Sequence, residues 1–478
     1  MKKHIYRLLF IVPILLSSCS EDRLDLIPEI GDVYDGNLKN EDQMAQVVQG
    51  IYPKLGSGSN FGADILIQGE LLSDNIFVSN AAGDIAYVNT AAFAWHSGNS
   101  PFGQYRGLYE VVQQANLVLN DTNVPINVNV LSLKGEAKIA RALAMFYLVQ
   151  GFSPNPTSGV NQEYGIPIKN DIYDPQKTVG RSTIDEVYDF IIRDLTEGIE
   201  GMANSSRQDK IYLSATAGKY LLSKVYLTRG KSGDYQKSID LVDDILKSSS
   251  NFSMIEANGL VNYFTSKEIS LLENQPETIF EISQTSISNL GINTHPGQYY
   301  TFNASKRRLM MRTSLYNTMN STKDVRLSLF QTAQAPTVDD PKGVWLKKVP
   351  QSTSEGANTA NVKVFRMTEL LFIKMEALAK LGRKSEALTL LNEFALTRKS
   401  SVYKGDDIIT DILTEKQKEF IGEGLRFYDL KRNNLPIVKT SNCNGNICEV
   451  SANDKLFVFP IPIGELDRAP EVKQYPGW

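Results

Sequence analysis

Residues 183–202 read Thr-Ile-Asp-Glu-Val-Tyr-Asp-Phe-Ile-Ile-Arg-Asp-Leu-Thr-Glu-Gly-Ile-Glu-Gly-Met. Ile184, Tyr188, Ile191, Leu195, Ile199 and Met202 recur at steps of four, three, four, four and three. At 3.6 residues per turn they form one apolar stripe along a helix. Thr183 and Glu186 have the spacing of a capping box, in which each side chain satisfies the other's backbone N–H. An amphipathic helix of this kind needs a partner surface for its stripe, and the flanking sequence supplies several.

Upstream, a helix is expected over about 134–152, with Ala140, Ala144, Tyr147 and Gly151 along one side. Small residues on a helix face let another helix approach closely. Downstream, helices are expected over about 214–229 and 235–246, joined by the turn Gly230-Lys231-Ser232-Gly233-Asp234. A further pair covers 364–381 and 384–398 around Gly382. Its Ala377, Gly382, Ala387 and Leu391 match the small-residue spacing of tetratricopeptide hairpins. The repeats are degenerate and not tandem. Between them lie irregular stretches at 155–176 and 284–362. The second carries Tyr299, Tyr300, Phe302, Tyr316, Phe330 and Trp345, and long loops of this kind in a compact protein are often functional. The fold class is therefore mainly α: a tetratricopeptide-like helix-hairpin scaffold, about 105–250 and 364–432, with long irregular loops and a loop-rich ligand side at about 284–362.

The chain has 478 residues, with 50 Lys+Arg against 54 Asp+Glu and a net charge of −4. That balance argues against nucleic acid as a partner, because such binding rests on neutralising phosphates. Its three His, at 4, 96 and 295, form no HExxH pair, so no zinc hydrolase of that type is expected, nor any metal or cofactor. Lys2, Lys3 and Arg7 precede the apolar run Leu8–Leu16, which is too short to span a bilayer and has the form of a secretory signal. Leu16-Ser17-Ser18-Cys19 then forms a bacterial lipobox, with Cys19 as the lipidated residue. The expected division is a signal peptide at 1–18, a lipidated tether at 19–40 and a single domain at 41–478. The protein would be anchored to a membrane without crossing it. Cys443 and Cys448, five positions apart, suit a disulfide-stapled loop in an oxidising compartment; a redox pair is the alternative.

Trp95 in Phe93-Ala-Trp-His-Ser-Gly-Asn is the leading candidate for ligand stacking, and Tyr299, Tyr300 and Trp345 would extend its platform. An exposed ring stacks on the CH face of a sugar or on a peptide side chain. His96 could hydrogen-bond the same ligand. Lys306, Arg307, Arg308 and Arg312 would suit an acidic ligand, or form a solvated helix face. Asp339-Asp340 lacks the spaced oxygens of a calcium site. Glu415, Glu419 and Glu423 step by four along one helix, with Arg426 placed to pair with Glu423. Structural ion pairs are the expected use of this row.

Six ordered stretches resemble the SusD/RagB nutrient-binding lipoproteins of Bacteroidetes: 24–28, 105–116, 136–148, 366–378, 415–432, and 459–462 with 476–478. The stretch Glu415-Lys-Gln-Lys-Glu-Phe-Ile-Gly-Glu-Gly-Leu-Arg-Phe-Tyr-Asp-Leu-Lys-Arg432 is the most specific. The acidic Ser20-Glu21-Asp22 resembles a surface-export tether. The resemblance implies four tetratricopeptide-like helix pairs and a location on the outer-membrane surface. It also implies a non-catalytic role as the lid of a TonB-dependent transporter, capturing oligosaccharide or oligopeptide. Only 3 Trp are present, which leans toward a smaller or more polar ligand. Two rivals remain. A surface glycosidase would need two carboxylates facing each other across a cleft, about 5–9.5 Å apart. A tetratricopeptide adaptor would line a concave helical groove with protein contacts.

Overall fold

The computed structural model describes residues 37–79, 86–174, 176–205, 207, 209–248, 251–304, 306–332 and 343–478. Cys19 and Asp339-Asp340 lie outside the described residues. In chain order the first half comprises α1 (Glu41–Gln49), α2 (Ile51–Leu55), α3 (Asp64–Leu71), β1 (Ile76–Val78), α4 (Val88–Ala91), α5 (Gln104–Leu119), α6 (Val128–Phe152), α7 (Ile184–Gly201), α8 (Ala215–Arg229) and α9 (Asp234–Ser248). Caps written in the sequence start the long helices. The Thr183 hydroxyl accepts from Glu186 N–H and the Glu186 carboxylate accepts from Thr183 N–H, at 3.3 and 2.8 Å. Ser214 caps α8 by accepting from Ala217 N–H. Asn127 accepts from Val130 N–H, so α6 begins nearly two turns before the start expected near Lys134.

The long helices pack in series. α5 lies on α6, α6 on α7, α7 on α8, and α8 on α9. The α6–α7 contact is close because of glycine: a Cβ at Gly135 would come within 2.7 Å of the Gly198 carbonyl oxygen. The stripe on α7 is buried here, with Ile184, Tyr188, Ile191 and Leu195 in the main core.

The middle of the chain holds α10 (Leu260–Thr265), α11 (Ile269–Leu272), β2 (Thr278–Ile282), α12 (Gly291–Thr294), α13 (Gly297–Tyr300), β3 (Leu309–Met311), α14 (Thr313–Thr322), β4 (Phe330–Thr332), β5 (Val344–Leu346), β6 (Ser352–Thr353), β7 (Gly356–Ala357) and β8 (Val362–Arg366). The region expected to be irregular thus contains short elements. β1, β3, β5 and β4 form an antiparallel sheet in that order, with Ile76 opposite Met311 and Met311 opposite Val344. β2 pairs antiparallel with β8. The Val-Lys-Val-Phe run therefore makes a strand, and the helix expected from Val364 begins instead at Met367. β-branched and aromatic residues fit a half-buried pleat.

The last third holds α15 (Met367–Lys380), α16 (Lys384–Thr397), α17 (Ile408–Phe420), α18 (Arg426–Arg432), β9 (Ile437–Val438), β10 (Glu449–Val450) and α19 (Ile463–Arg468). α15 packs on α9, continuing the series into α16 and α17. The mainly α, tetratricopeptide-like scaffold is the observed fold. The row expected on one helix over 415–432 is broken, however. Gly422 and Gly424 take φ of +87° and +78°, a region open to glycine, so the chain turns between α17 and α18. No helix among the described residues is long and apolar enough to cross a membrane.

Candidate ligand-binding cleft

The four aromatic candidates are not exposed. Trp95 is 4% accessible and Trp345 3%. Trp95 packs against Phe93 and, edge-on, against Phe102, which stacks on Phe459 at 3.9 Å. Phe102 thus joins the segment before α5 to the C-terminal segment, and the Trp95 ring packs beside it in the core. Trp345 lies in β5 against the ring of Phe302. Tyr299 is buried, donates to the Asn293 carbonyl and meets Tyr87 edge-on at 5.2 Å. Tyr300 is buried beside it. A stacking platform built from these four rings is thus corrected to packing. His96 is exposed and caps a short turn, its Nδ1 accepting from Gly98 N–H. Arg312, expected at a ligand or in a solvated helix face, is buried at β3's end and donates to the carbonyls of Ile76 and Asn442. This ties β1 to the loop closed by the Cys443–Cys448 disulfide.

The carboxylate row is also structural. Arg326 binds Asp324, Glu415 and Glu419. Arg366 binds Glu277 and Glu423, with Glu419 at 3.7 Å. Arg398 reaches Glu419 at 3.2 Å and Lys348 reaches Glu423 at 2.7 Å. Burial alone would raise Glu419; Arg398, Arg326 and Arg366 overcome it and hold the carboxyl down to about 2. The expected Arg426–Glu423 pair does not form. Arg426 instead binds Asp74 through both oxygens, at 2.8 and 2.9 Å, because the Gly422–Gly424 turn carries it away from α17.

An open cleft of about 400 Å³ lies between two walls. The first is the α1–α2 corner and the loop after it, with Gln49, Tyr52, Pro53, Gly56 and Ser57; the second is the turn after β2, with Ser283, Gln284, Thr285, Ser288, Asn289 and Leu290. Ile211, Tyr212 and Ile282 complete the lining. The walls meet closely at one end, where a Cβ on Gly56 would stand 2.7 Å from Ile282 Cγ2. Tyr52 and Tyr212 form an edge-to-face pair, with centroids 5.1 Å apart. Both are half-buried. The Tyr52 hydroxyl donates to Glu136 and accepts from Leu213 N–H. Arg207 donates to the same Glu136 at 2.6 Å and lies over the Tyr212 ring at 4.0 Å. Burial pushes the Tyr52 hydroxyl well above its usual value, and the neighbouring Glu136 adds to this. Burial likewise raises Glu136, against the pull of Tyr52 and Arg207. The two rings are therefore fixed from behind, and the Tyr52 hydroxyl keeps its proton.

The second wall is shaped by its own hydrogen bonds. Gln284 N–H donates to Asn361 and its Oε1 accepts from Leu290 N–H. Asn289 Nδ2 donates to the Thr285 carbonyl. Ile287, at the tip of this turn, is 97% exposed. Leu290 then packs into a second core cluster with Tyr87 and Tyr299. Tyr87 has φ of +60° and donates to Asp64, whose carboxyl is raised to about 6 by burial despite that bond. Among the described residues that line the cleft, none carries a charge. Its amides and hydroxyls can exchange hydrogen bonds with polyhydroxyl ligands, and its rings can take an apolar face. Tyr52 and Tyr212 were not among the expected site residues. The only available signal was an aromatic just after α1 and another just before α8, in segments that carry no motif.

Residues 294–478 match the model of the SusD family, and residues 24–227 match the model described as starch-binding associating with outer membrane. SusD-like protein P2 of Formosa agariphila is 22% identical over 306 residues, or 61% of this chain. The chain spans at most 55% of the length of the curated relatives it matches. A SusD superfamily protein from Bacteroides thetaiotaomicron superposes with a TM-score of 0.80 at 23% identity, over 91% of this chain and 100% of that one. A laminarin-binding SusD-like protein superposes with a TM-score of 0.72 at 20% identity, over 92% of this chain and 100% of that one. At these identities the structural likeness speaks for the fold.

Proposed function

Because this chain belongs to the SusD/RagB family, we propose that it captures an oligosaccharide at the outer-membrane surface and acts as the lid of a TonB-dependent transporter, held there by a lipid on Cys19. The observation that carries the ligand class is the half-buried Tyr52–Tyr212 pair in a cleft lined by neutral amides and hydroxyls. Sugars offer an apolar CH face for the rings and hydroxyls for Gln49, Ser57, Gln284 and Asn289. The laminarin-binding SusD-like protein that shares this fold favours the same class. The role is binding without bond cleavage: hydrolysis needs an acid and a base across the scissile bond, and the row Glu415, Glu419 and Glu423 is committed to buried arginines and lysines.

An open cleft with two aromatic rings supports micromolar affinity, about −8 kcal/mol. Calorimetric titration of the mature chain against mixed oligosaccharides, laminarin fragments among them, is expected to give heat. Tyr212→Ala is expected to weaken that binding by about tenfold, ~1.4 kcal/mol. Unchanged affinity in this variant would move the site elsewhere. Heat from a tryptic peptide pool alone would overturn the sugar class. Sugar chains shortened after incubation would overturn the non-catalytic role. The lid half is tested by purifying the chain from the outer membrane of its host; recovery free of any TonB-dependent barrel would sink it.

A further inference from the structure

The described chain begins at a fixed place on the surface. Leu38 is 1% exposed. Its N–H donates to Asp121 at 3.3 Å, and Asn123 donates to the Asn37 side chain at 3.1 Å. The tether therefore leaves the domain beside the loop between α5 and α6. Seventeen residues separate Cys19 from Asn37, so their reach is at most ~60 Å even when fully extended.

The neighbouring surface is apolar where solvent would be expected. Ile126, Val128 and Leu131 are 61%, 55% and 46% exposed. Val128, Leu131, Lys134 and Lys138 follow at steps of three, three and four along α6 and share one outward face. Leu131 also lines a cleft of about 330 Å³ between α6 and α7, together with Lys134, Lys138 and Arg193. Of the acids at that cleft, Asp194 is taken by Arg141 and Glu197 by Lys138. Lys134 donates to the Asp121 carbonyl, and Arg193 lies over the Phe190 ring at 5.2 Å. Among the described residues neither forms an ion pair. Apolar side chains beside Lys134 and Arg193, two cations in no ion pair among the described residues, on the side where the anchor departs, fit the boundary between acyl chains and phosphate headgroups.

We propose that the face formed by Ile126, Val128, Leu131, Lys134 and Arg193 docks on the phosphate-bearing lipid surface that holds the anchor. The aliphatic side chains enter the headgroup boundary and the cations meet lipid phosphates. This contact orients the domain relative to the lipid surface. The proposal rests on Cys19 being the anchored end, and does not depend on what the Tyr52–Tyr212 cleft binds.

The test is vesicle co-sedimentation of the mature chain carrying Cys19→Ser, so that no acyl group contributes. Binding is expected to vesicles of phosphatidylglycerol and phosphatidylcholine in equal parts, weaker to phosphatidylcholine alone, and reduced by high salt. The triple variant Ile126→Ser, Val128→Ser, Leu131→Ser and the double variant Lys134→Gln, Arg193→Gln are each expected to bind about tenfold less. Their sugar titration is expected to match the parent, which shows that they fold and separates this failure from a failure of the cleft. No co-sedimentation of the parent, or equal co-sedimentation of both variants, overturns the proposal. So does full competition by free inorganic phosphate, which would make the cleft a soluble-anion site.

Discussion

At the scale of single residues, the charges that look most chemical are the ones most thoroughly neutralised. Arg366 is buried and holds two glutamates directly, Glu277 at 2.7 Å and Glu423 at 2.6 Å, near a third at Glu419. Breaking a buried pair is costly because the partner charge stays behind without compensation. Arg366→Met should therefore lower stability by about 3–5 kcal/mol, seen as a shifted denaturation midpoint; a shift near zero would mean that water reaches the network. Tyr212 is the opposite case. It is half-buried and no hydrogen bond is known to hold its hydroxyl among the described residues, so its truncation should be felt in binding far more than in folding. Trp95 was expected on the ligand face and lies in the core, because an indole buries a large apolar area and residue type does not say which side of the chain is wet.

At the scale of elements, close crossings decide where helices end. α18 lies on α3, and the two chains meet at a pair of glycines. A Cβ on Gly69 would lie 2.1 Å from the Gly424 carbonyl oxygen, and one on Gly424 would lie 2.5 Å from Leu66 Cα. Both neighbours are backbone and cannot rotate away. Gly424 also has φ of +78°. Gly424→Ala should thus cost several kcal/mol, about 3 or more, through combined strain and clash. It should also loosen α18, which hydrogen exchange of residues 426–432 would report. Unchanged exchange and midpoint would show that the crossing can open without loss. The break at this turn is also why a row of residues spaced by four in sequence does not form one face in space.

At the scale of the whole molecule, two sets of buried acids pull stability in opposite directions with pH. Burial raises Glu70 to about 7, against hydrogen bonds from Asn75 and Gly424 N–H. Its folded value lies above the unfolded one, so its contribution is complete below about 4.5 and fades as pH rises through about 7. Glu376 and Glu419 are held down to about 2, their cationic partners outweighing burial. Their contribution is present above about 4.5 and is lost as pH falls toward 2. Stability should therefore peak at mildly acidic pH and decline on both sides, measured by thermal melts across pH. In Glu70→Gln the decline toward neutral pH should flatten; an unchanged alkaline slope would assign it to other groups.

Much of the scaffold was legible before the structure. The α7 stripe and its Thr183–Glu186 box, the Gly230 turn and the Gly382 hairpin are local patterns, and helices answer to local periodicity and caps. The spacing of Cys443 and Cys448, which the structure joins in a disulfide, is local as well. The family followed from ordered motifs spread along the chain. The ligand surface did not follow. Whether Trp95, Tyr299, Tyr300 and Trp345 face solvent depends on which distant segments cover them, and those segments arrive from as far away as Phe459. The Tyr52–Tyr212 cleft brings together residues 160 positions apart, by subtraction of their numbers. What the sequence determined by itself was therefore the class of scaffold and the stripe and cap of α7, set by interactions within a few turns. Only the tertiary structure decided which aromatics are core and which line a cleft, because burial is a property of long-range packing, with no local code for it in the chain.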